Sequence, residues 1–281
     1  MGSEVAVVTD STAYLPPGLA ARHGLTVVPL QISVGGATRD EDDITTAEAA
    51  QALREWQPVT TSRPAPERFA DVYRAAAGSG AHAIVSVHLS AALSGTAEAA
   101  RLAADNAPIP VTVVDSGTIG MGLGFAALSA AATALADGTA EQVAEAATRR
   151  AALTRSLIYV DTLEHLRRGG RIGAAANLLG SALMVKPLLD IREGRLAPLE
   201  KVRTSSRALA RLEELAVTEA GDRRVDLGVQ HLAAASRAES LAARLRERVP
   251  DVADVYVGEV GPVIGAHVGP GMLGVVVAPQ L

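Results

Sequence analysis

The sequence predicts an α/β protein in two parts. The N-terminal part is a parallel sheet flanked by helices, and the C-terminal part is an α/β domain with a mixed sheet. Three observations lead there. Short apolar runs alternate with helical stretches through the first half, as repeated strand–helix units do. The chain is 48% hydrophobic but only 2% aromatic, so its large core must be aliphatic. Near Thr154 the pattern changes and a hairpin turn, Glu193-Gly194, enters between two strand-like runs. A length of 281 residues suits one large domain or two ordinary ones. We place the domains at residues 1–153 and 154–281.

The elements follow in order. Val5 to Thr9 is a short apolar strand, followed by a helix at Pro16 to His23 and strand-like residues at Leu25 to Val34. Thr45 to Trp56 is a helix, with Thr45 and Glu48 at capping-box spacing. Pro66 opens a helix to Ala77, since proline suits the first turn. Ala83 to Val87 is a buried strand, Thr96 to Ala104 a helix and Val111 to Asp115 a strand. Gly122 to Ala136 is a helix, and Thr139 with Gln142 caps another to Thr154. In the second half, strands are expected at Leu157 to Tyr159, Leu188 to Arg192, Ala197 to Val202, Val225 to His231 and Asp254 to Val260. Helices are expected at Thr162 to Arg168, Ala174 to Leu183, Ser206 to Ala220 and Ala238 to Arg248.

Composition excludes several classes. A net charge of −5 with interspersed signs lacks the basic face of a nucleic-acid binder. No cysteine means no disulfide, thiolate nucleophile or Cys-zinc site. The histidines lack metal-ligand spacing, so no metal is expected. Neither a Walker loop nor a complete GxGxxG follows a strand, and no GxSxG elbow is present. The N-terminus runs directly into a strand pattern without signal-peptide character, so a cytoplasmic location is expected. Thr118 to Ala136 is uncharged and about long enough to span a bilayer. Its three glycines and many Ala, Ser and Thr residues suit a buried helix better, so no stable membrane insertion is expected.

Chemistry-bearing residues gather at strand ends and helix starts. Asp10-Ser11-Thr12, Thr60 to Pro64, Ser94-Gly95-Thr96 and Asp115-Ser116 all do so. Free N–H groups and hydroxyls there can cradle an anion, and they can equally serve as plain caps. Asp161 and Glu164 have capping-box spacing, with Gly169 or Gly170 as a left-handed C-cap. Arg171 lies beyond the glycines and could form a cationic edge with Arg203 and His267. Gly261 to Gly274 holds five glycines, two prolines and His267, and reads as a rigid apolar loop. It suits a ligand site, or a tight turn with a solvated histidine.

Taken together, the motifs resemble the DegV family, whose members include the FakB lipid-binding subunits of bacterial fatty acid kinase. Thr9 to Ala13 resembles its opening TDSTA, Thr61 to Pro64 its TSQP, and Leu93 to Thr96 its LSGT. Leu166 to Ile172 resembles LKKGGRI, Lys186-Pro187 the following KP, and Gly265 to Gly271 the terminal GxHxGPG. Their order along nearly the whole chain makes the resemblance specific.

The resemblance implies a two-domain binder holding one long-chain fatty acid, such as palmitate or oleate, between its domains. It implies that Thr61 and Ser94 bond the carboxylate. Ser62, Gly95, Arg171, Arg203 and His267 would lie near the head group or the kinase-docking surface. A separate ATP-binding fatty acid kinase subunit would make the acyl phosphate for phospholipid metabolism. The chain itself would need no cofactor and would not be an enzyme. A sixteen-carbon chain offers on the order of 10 kcal/mol of burial. Arg63 replaces the usual Gln, Ala97 the usual Tyr and Tyr14 the usual Asp. Two other readings stay open. One is a stand-alone enzyme using Asp10, Asp115 and His267 on a small phosphorylated or carboxylated substrate. The other is a lipid sensor without a kinase partner.

Overall fold

Apolar runs at period two and amphipathic runs at period 3.6 alternate in the chain, and strands and helices alternate accordingly in the computed structural model. It describes residues 4–178 and 185–281. The first part runs β1 (Val5–Asp10), α1 (Leu19–Arg22), β2 (Leu25–Val28), β3 (Gln31–Val34), β4 (Ala37–Asp40), α2 (Thr46–Arg54), β5 (Val59–Ser62), α3 (Pro66–Gly78), β6 (Ala83–His88), α4 (Thr96–Ala104), β7 (Val111–Asp115), α5 (Met121–Leu135) and α6 (Ala140–Leu153). The second runs β8 (Arg155–Tyr159), α7 (Glu164–Arg168), β9 (Lys186–Arg192), β10 (Arg195–Val202), α8 (Ser205–Ala220), β11 (Val225–His231), α9 (Ala235–Arg248), β12 (Val252–Glu259), α10 (Pro262–Val268) and β13 (Leu273–Pro279).

The chain forms two compact units. One comprises the residues up to Gln31, Ser62–Leu153 and Leu281, and the other comprises Ile32–Thr61 and Thr154–Gln280. The expected division at 153/154 assigns residues 32–61 to the N-terminal half, whereas they pack with the C-terminal unit. The reason is the apolar face of α2, with Ala49, Ala50, Ala52 and Leu53 buried, which packs against α10. Gly35 and Gly36, both at positive φ, turn β3 back into β4, and a three-stranded sheet of order β4-β3-β5 results.

In the first unit the sheet has the order β2-β1-β6-β7, parallel throughout. Phe69 and Tyr73 of α3 and Ala99 and Ala100 of α4 bury Val8 and Ile84 of that sheet. Helix α5 is buried from Met121 to Ala127, and Gly124 lets it approach the backbone, since a Cβ there would press on the Ala13 carbonyl. Among the described residues no helix is long and apolar enough to cross a membrane. Thr139 and Gln142 cap α6 reciprocally, as their spacing predicts.

In the second unit the six-stranded sheet has the order β10-β9-β8-β13-β11-β12. β11 is parallel to β12, and the remaining pairs are antiparallel. Its core joins Leu157, Leu188, Leu227 and Val275 to Leu212 of α8 and Leu241 and Leu245 of α9. Each such buried side chain contributes about 1.5–3 kcal/mol. Glu213, itself buried, accepts from Arg244 and Arg248, both at 2.6 Å, and ties α8 to α9. Glu193 and Gly194, both left-handed, close the β9–β10 hairpin as predicted.

Several local expectations change. The run at Leu25 to Val34 divides into β2 and β3, because Pro29 cannot donate to a ladder. Thr60 to Ser62 lies ahead of helix α3 as expected, and it also belongs to a strand, β5, that the sequence did not announce. The expected helix at Ala174 to Leu183 is a 3-10 segment over Gly173–Leu178, and its remainder lies outside the described residues. The apolar stretch at residues 261–274 contains a helix, α10, in place of a continuous loop. Pro262 occupies the first turn, where its missing N–H costs nothing.

Candidate functional site

Strand β1 ends on Asp10, whose carboxylate is fully buried. Its Oδ1 accepts from Thr12 N at 3.1 Å and Thr12 Oγ1 at 2.5 Å. Its Oδ2 accepts from Leu89 N at 3.0 Å and lies 3.0 Å from His88 Nδ1. The chain of bonds continues behind it. Tyr73 donates to Ser86 Oγ at 2.9 Å, which leaves the Ser86 hydroxyl to donate to His88 Nε2 at 2.7 Å. The hydrogen of His88 therefore sits on Nδ1, facing Asp10. Burial pushes the Tyr73 hydroxyl up to about 12, so it stays a donor. Every oxygen of Asp10 is thus engaged by an internal donor, which suits a structural carboxylate better than an acid or base. Asp115 is exposed, and its Oδ1 accepts from Ala91 N and Gly117 N to shape the adjoining loops.

The loop after β6, held at Leu89 by Asp10, carries Ser94 and Gly95 to the start of α4. Ser94 is half-buried and its hydroxyl lies 2.9 Å from Thr96 Oγ1. Gly95 is the N-cap residue and offers no side-chain cap. The exposed Arg63 side chain lies on Gly95, in the space a Cβ would fill. Ser62 is exposed at the end of β5, and its hydroxyl reaches Gln31 Oε1 at 3.5 Å.

In the second unit, β5 and α10 bring together two predicted residues separated by 206 positions: Thr61 Oγ1 lies 2.8 Å from His267 Nε2. Burial, reinforced by the nearby Arg171 charge, pushes His267 down to about 4. The imidazole is therefore neutral near pH 7, which removes it from the expected cationic edge. Its Nδ1 is buried with no hydrogen-bond partner among the described residues. With the hydrogen on Nε2, the ring donates to Thr61 and leaves the threonine hydroxyl to donate elsewhere.

Helix α7 places the remaining pieces. Glu164 forgoes the expected capping box with Asp161, and its carboxylate instead binds Arg167 and Arg168 and is held at about 2. The helix ends as its glycines predict. Gly170 is left-handed, Gly170 N donates to Arg167 O, and Arg171 N donates to Leu166 O. That turn aims the Arg171 guanidinium back onto Gly169 O at 2.7 Å. Arg203 is exposed in the bend before α8, and no hydrogen bond or ion pair joins it to Arg171 or His267 among the described residues. Gly269 and Gly271, at positive φ, let the turn after α10 pass directly over the His165 ring and the Asp161 carboxylate. Lys186 binds Asp161 from the other side, donating to its carbonyl at 2.9 Å and its Oδ1 at 3.2 Å.

Other residues of this neighbourhood escaped the sequence reading. Trp56 stacks on His165 with centroids 5.5 Å apart, and the Arg168 guanidinium lies 4.3 Å from the Trp56 ring centre. They border a cavity of about 240 Å³ together with Leu53, Val59 and Ala266. Glu41 is buried, and its Oε1 accepts from Val263 N of α10 at 2.8 Å. It sits in an acidic run, Asp40 to Asp43, which could have been noticed, although nothing in the run says which member turns inward.

Residues 4–280 match a family model described as uncharacterised protein, DegV family. A DegV domain-containing protein of Streptomyces coelicolor is 60% identical over 281 residues, covering both chains completely. A solved structure from Thermus thermophilus, described as fatty acid binding of a DegV family protein, is 35% identical with a TM-score of 0.93. That match covers 98% of this chain and 99% of the other. The crystal structure of Bacillus subtilis DegV, described as a fatty acid binding protein, is 31% identical with a TM-score of 0.91. It covers 99% of this chain and all of that one.

Proposed function

The chain belongs to the DegV family, and on that premise we propose that it binds one long-chain fatty acid and presents the carboxylate to a separate ATP-dependent kinase subunit. The observation that carries this reading is the Thr61–His267 pair, in which a neutral imidazole orients a hydroxyl. A carboxylate removed from water needs donors, and a ring that is itself uncharged supplies orientation without a second buried charge. Ser94, beside a helix start with an uncapped N-terminus, is the second proposed donor. Ser62 and Gly95 adjoin these donors, and Arg171 and Arg203 are proposed for the head-group surroundings or kinase docking. The fatty-acid-binding relatives from Thermus and Bacillus support the ligand class.

In the proposed reaction a carboxylate oxygen attacks the γ-phosphorus of ATP held by the partner. ADP leaves and the acyl phosphate remains on this chain. The protein then acts as a carrier in the cytoplasm and performs no chemistry alone. Native mass spectrometry of the purified protein, followed by denaturing extraction, tests the ligand. One fatty acid per chain is the expected result. An empty protein that also refuses added palmitate and oleate would overturn the reading.

A further inference from the structure

The segment from residue 32 to residue 61 reaches α10 at both of its ends. Near its start, Glu41 accepts from Val263 N in the first turn of α10. At its finish, Thr61 meets His267 in the last turn. Between them α2 packs along the same helix. Of the four consecutive acids Asp40 to Asp43, Glu41 alone is buried, at 4% exposure, and it reaches a partner 222 positions away. α10 has no side-chain cap of its own, since Gly261 precedes it and Pro262 opens it. A seven-residue helix held by so little depends on external anchors.

We propose that Glu41 is a positioning residue that fixes α10 so that His267 stays seated against Thr61. Its carboxylate satisfies a buried amide and favours the positive end of the helix. Without it, α10 must move or admit water to hydrate Val263 N. The ring at the far end then loses its fit against Gly169 and its contact with Thr61. The inference deepens the head-group role proposed for that pair and rests on that reading only for its functional consequence.

The test is the titration of His267, followed by NMR in the full chain, with Glu41→Ala and Glu41→Gln. Both variants retain Arg171, whose charge acts on the ring. Direct electrostatics and positioning predict opposite signs. Losing a negative charge alone should lower the midpoint of His267 slightly in both variants. Loosened seating lets water reach the ring, so Glu41→Ala should raise it by roughly 1 unit or more toward the unperturbed value, while Glu41→Gln keeps the acceptor and leaves it within about 0.3 unit. Palmitate affinity should fall about tenfold or more in Glu41→Ala and stay near wild type in Glu41→Gln. Equal, small downward shifts in both variants would overturn the proposal and leave Glu41 a plain cap. If Glu41→Ala fails to fold, Glu41→Asp replaces it. Its shorter reach should raise the midpoint by an intermediate amount, and an unmoved midpoint there overturns the proposal as well. A wild-type protein that binds no fatty acid would sink the carrier reading while the NMR result still stands.

Discussion

The imidazole of His267 occupies the space that a side chain at residue 169 would fill. A Cβ built on Gly169 would overlap His267 Nδ1. Gly169 has ordinary helical angles, with φ −73, so alanine meets no backbone strain there and any effect is steric. Gly169→Ala should push the ring off Thr61 and cost about 1–3 kcal/mol, as overpacking does. A urea melt reads the stability, and the His267 midpoint should rise above about 4 in the same variant.

Removing the proposed head-group donors should weaken ligand binding while sparing the fold. Thr61→Val keeps the shape of the side chain, and Ser94→Ala leaves only a small gap. Each should raise the Kd for palmitate about tenfold or more, the loss expected for one hydrogen bond to a charged group. Calorimetric titration of folded double mutants with unchanged affinity would refute the assignment.

Asp10 offers a contrasting case. Thr12, His88 and Leu89 all donate to its buried carboxylate. Asp10→Asn would turn an amide NH₂ toward donors, leaving buried groups facing one another without acceptors. A loss of about 2–4 kcal/mol is expected. Denaturant midpoints measure it, and a variant of wild-type stability would show that these bonds contribute nothing net.

The depressed midpoint of His267 sets a stability profile with a definite sign. The group sits at about 4 when folded and about 6.5 when unfolded. Between those values the unfolded chain binds a proton that the folded chain refuses. Stability is therefore complete above about pH 6.5 and declines as pH falls toward 4, by on the order of 3 kcal/mol. His165 and His231 are lowered by burial too and act in the same direction. His267→Gln should flatten the profile without abolishing it, as urea midpoints at pH 7 and pH 4.5 would show.

Arg171 should separate binding from presentation. Its charge is the second cause of the depressed His267 midpoint, so Arg171→Ala should raise that midpoint modestly. Palmitate binding should persist, while phosphorylation by the partner kinase slows at saturating carrier. Lost binding with normal turnover at saturation would contradict the docking role.

Much of this was legible in the chain because the signals are local. The glycines at 169 and 170, the arginines before them and the hairpin at Glu193-Gly194 encode their own turns through φ preference and capping. The capping pair Thr139 and Gln142 did the same. Asp161 and Glu164 had the right spacing yet formed no box, because α7 starts only at Glu164, whose N–H donates to Thr162 Oγ1, while the Asp161 carboxylate accepts from Tyr159 and Lys186. The helix at residues 262–268 was hidden by glycines and proline, whose helix propensities are poor. Packing on α2 and the Glu41 bond supply what propensity lacks.

By itself, the sequence determined the fold class, the parallel and mixed sheets and the ordered motifs that place Thr61, Ser94, Arg171 and His267 in one family pattern. These are matters of period, spacing and residue type, which a linear chain carries. The tertiary structure decided which of these residues meet and in what state. It paired Thr61 with His267 across 206 positions and seated the ring against Gly169. It also turned Glu41 inward among its acidic neighbours and removed water from the imidazole until it became neutral. Pairing and desolvation depend on distance through space, and a hydrogen bond forms only when folding brings its two ends within about 3 Å.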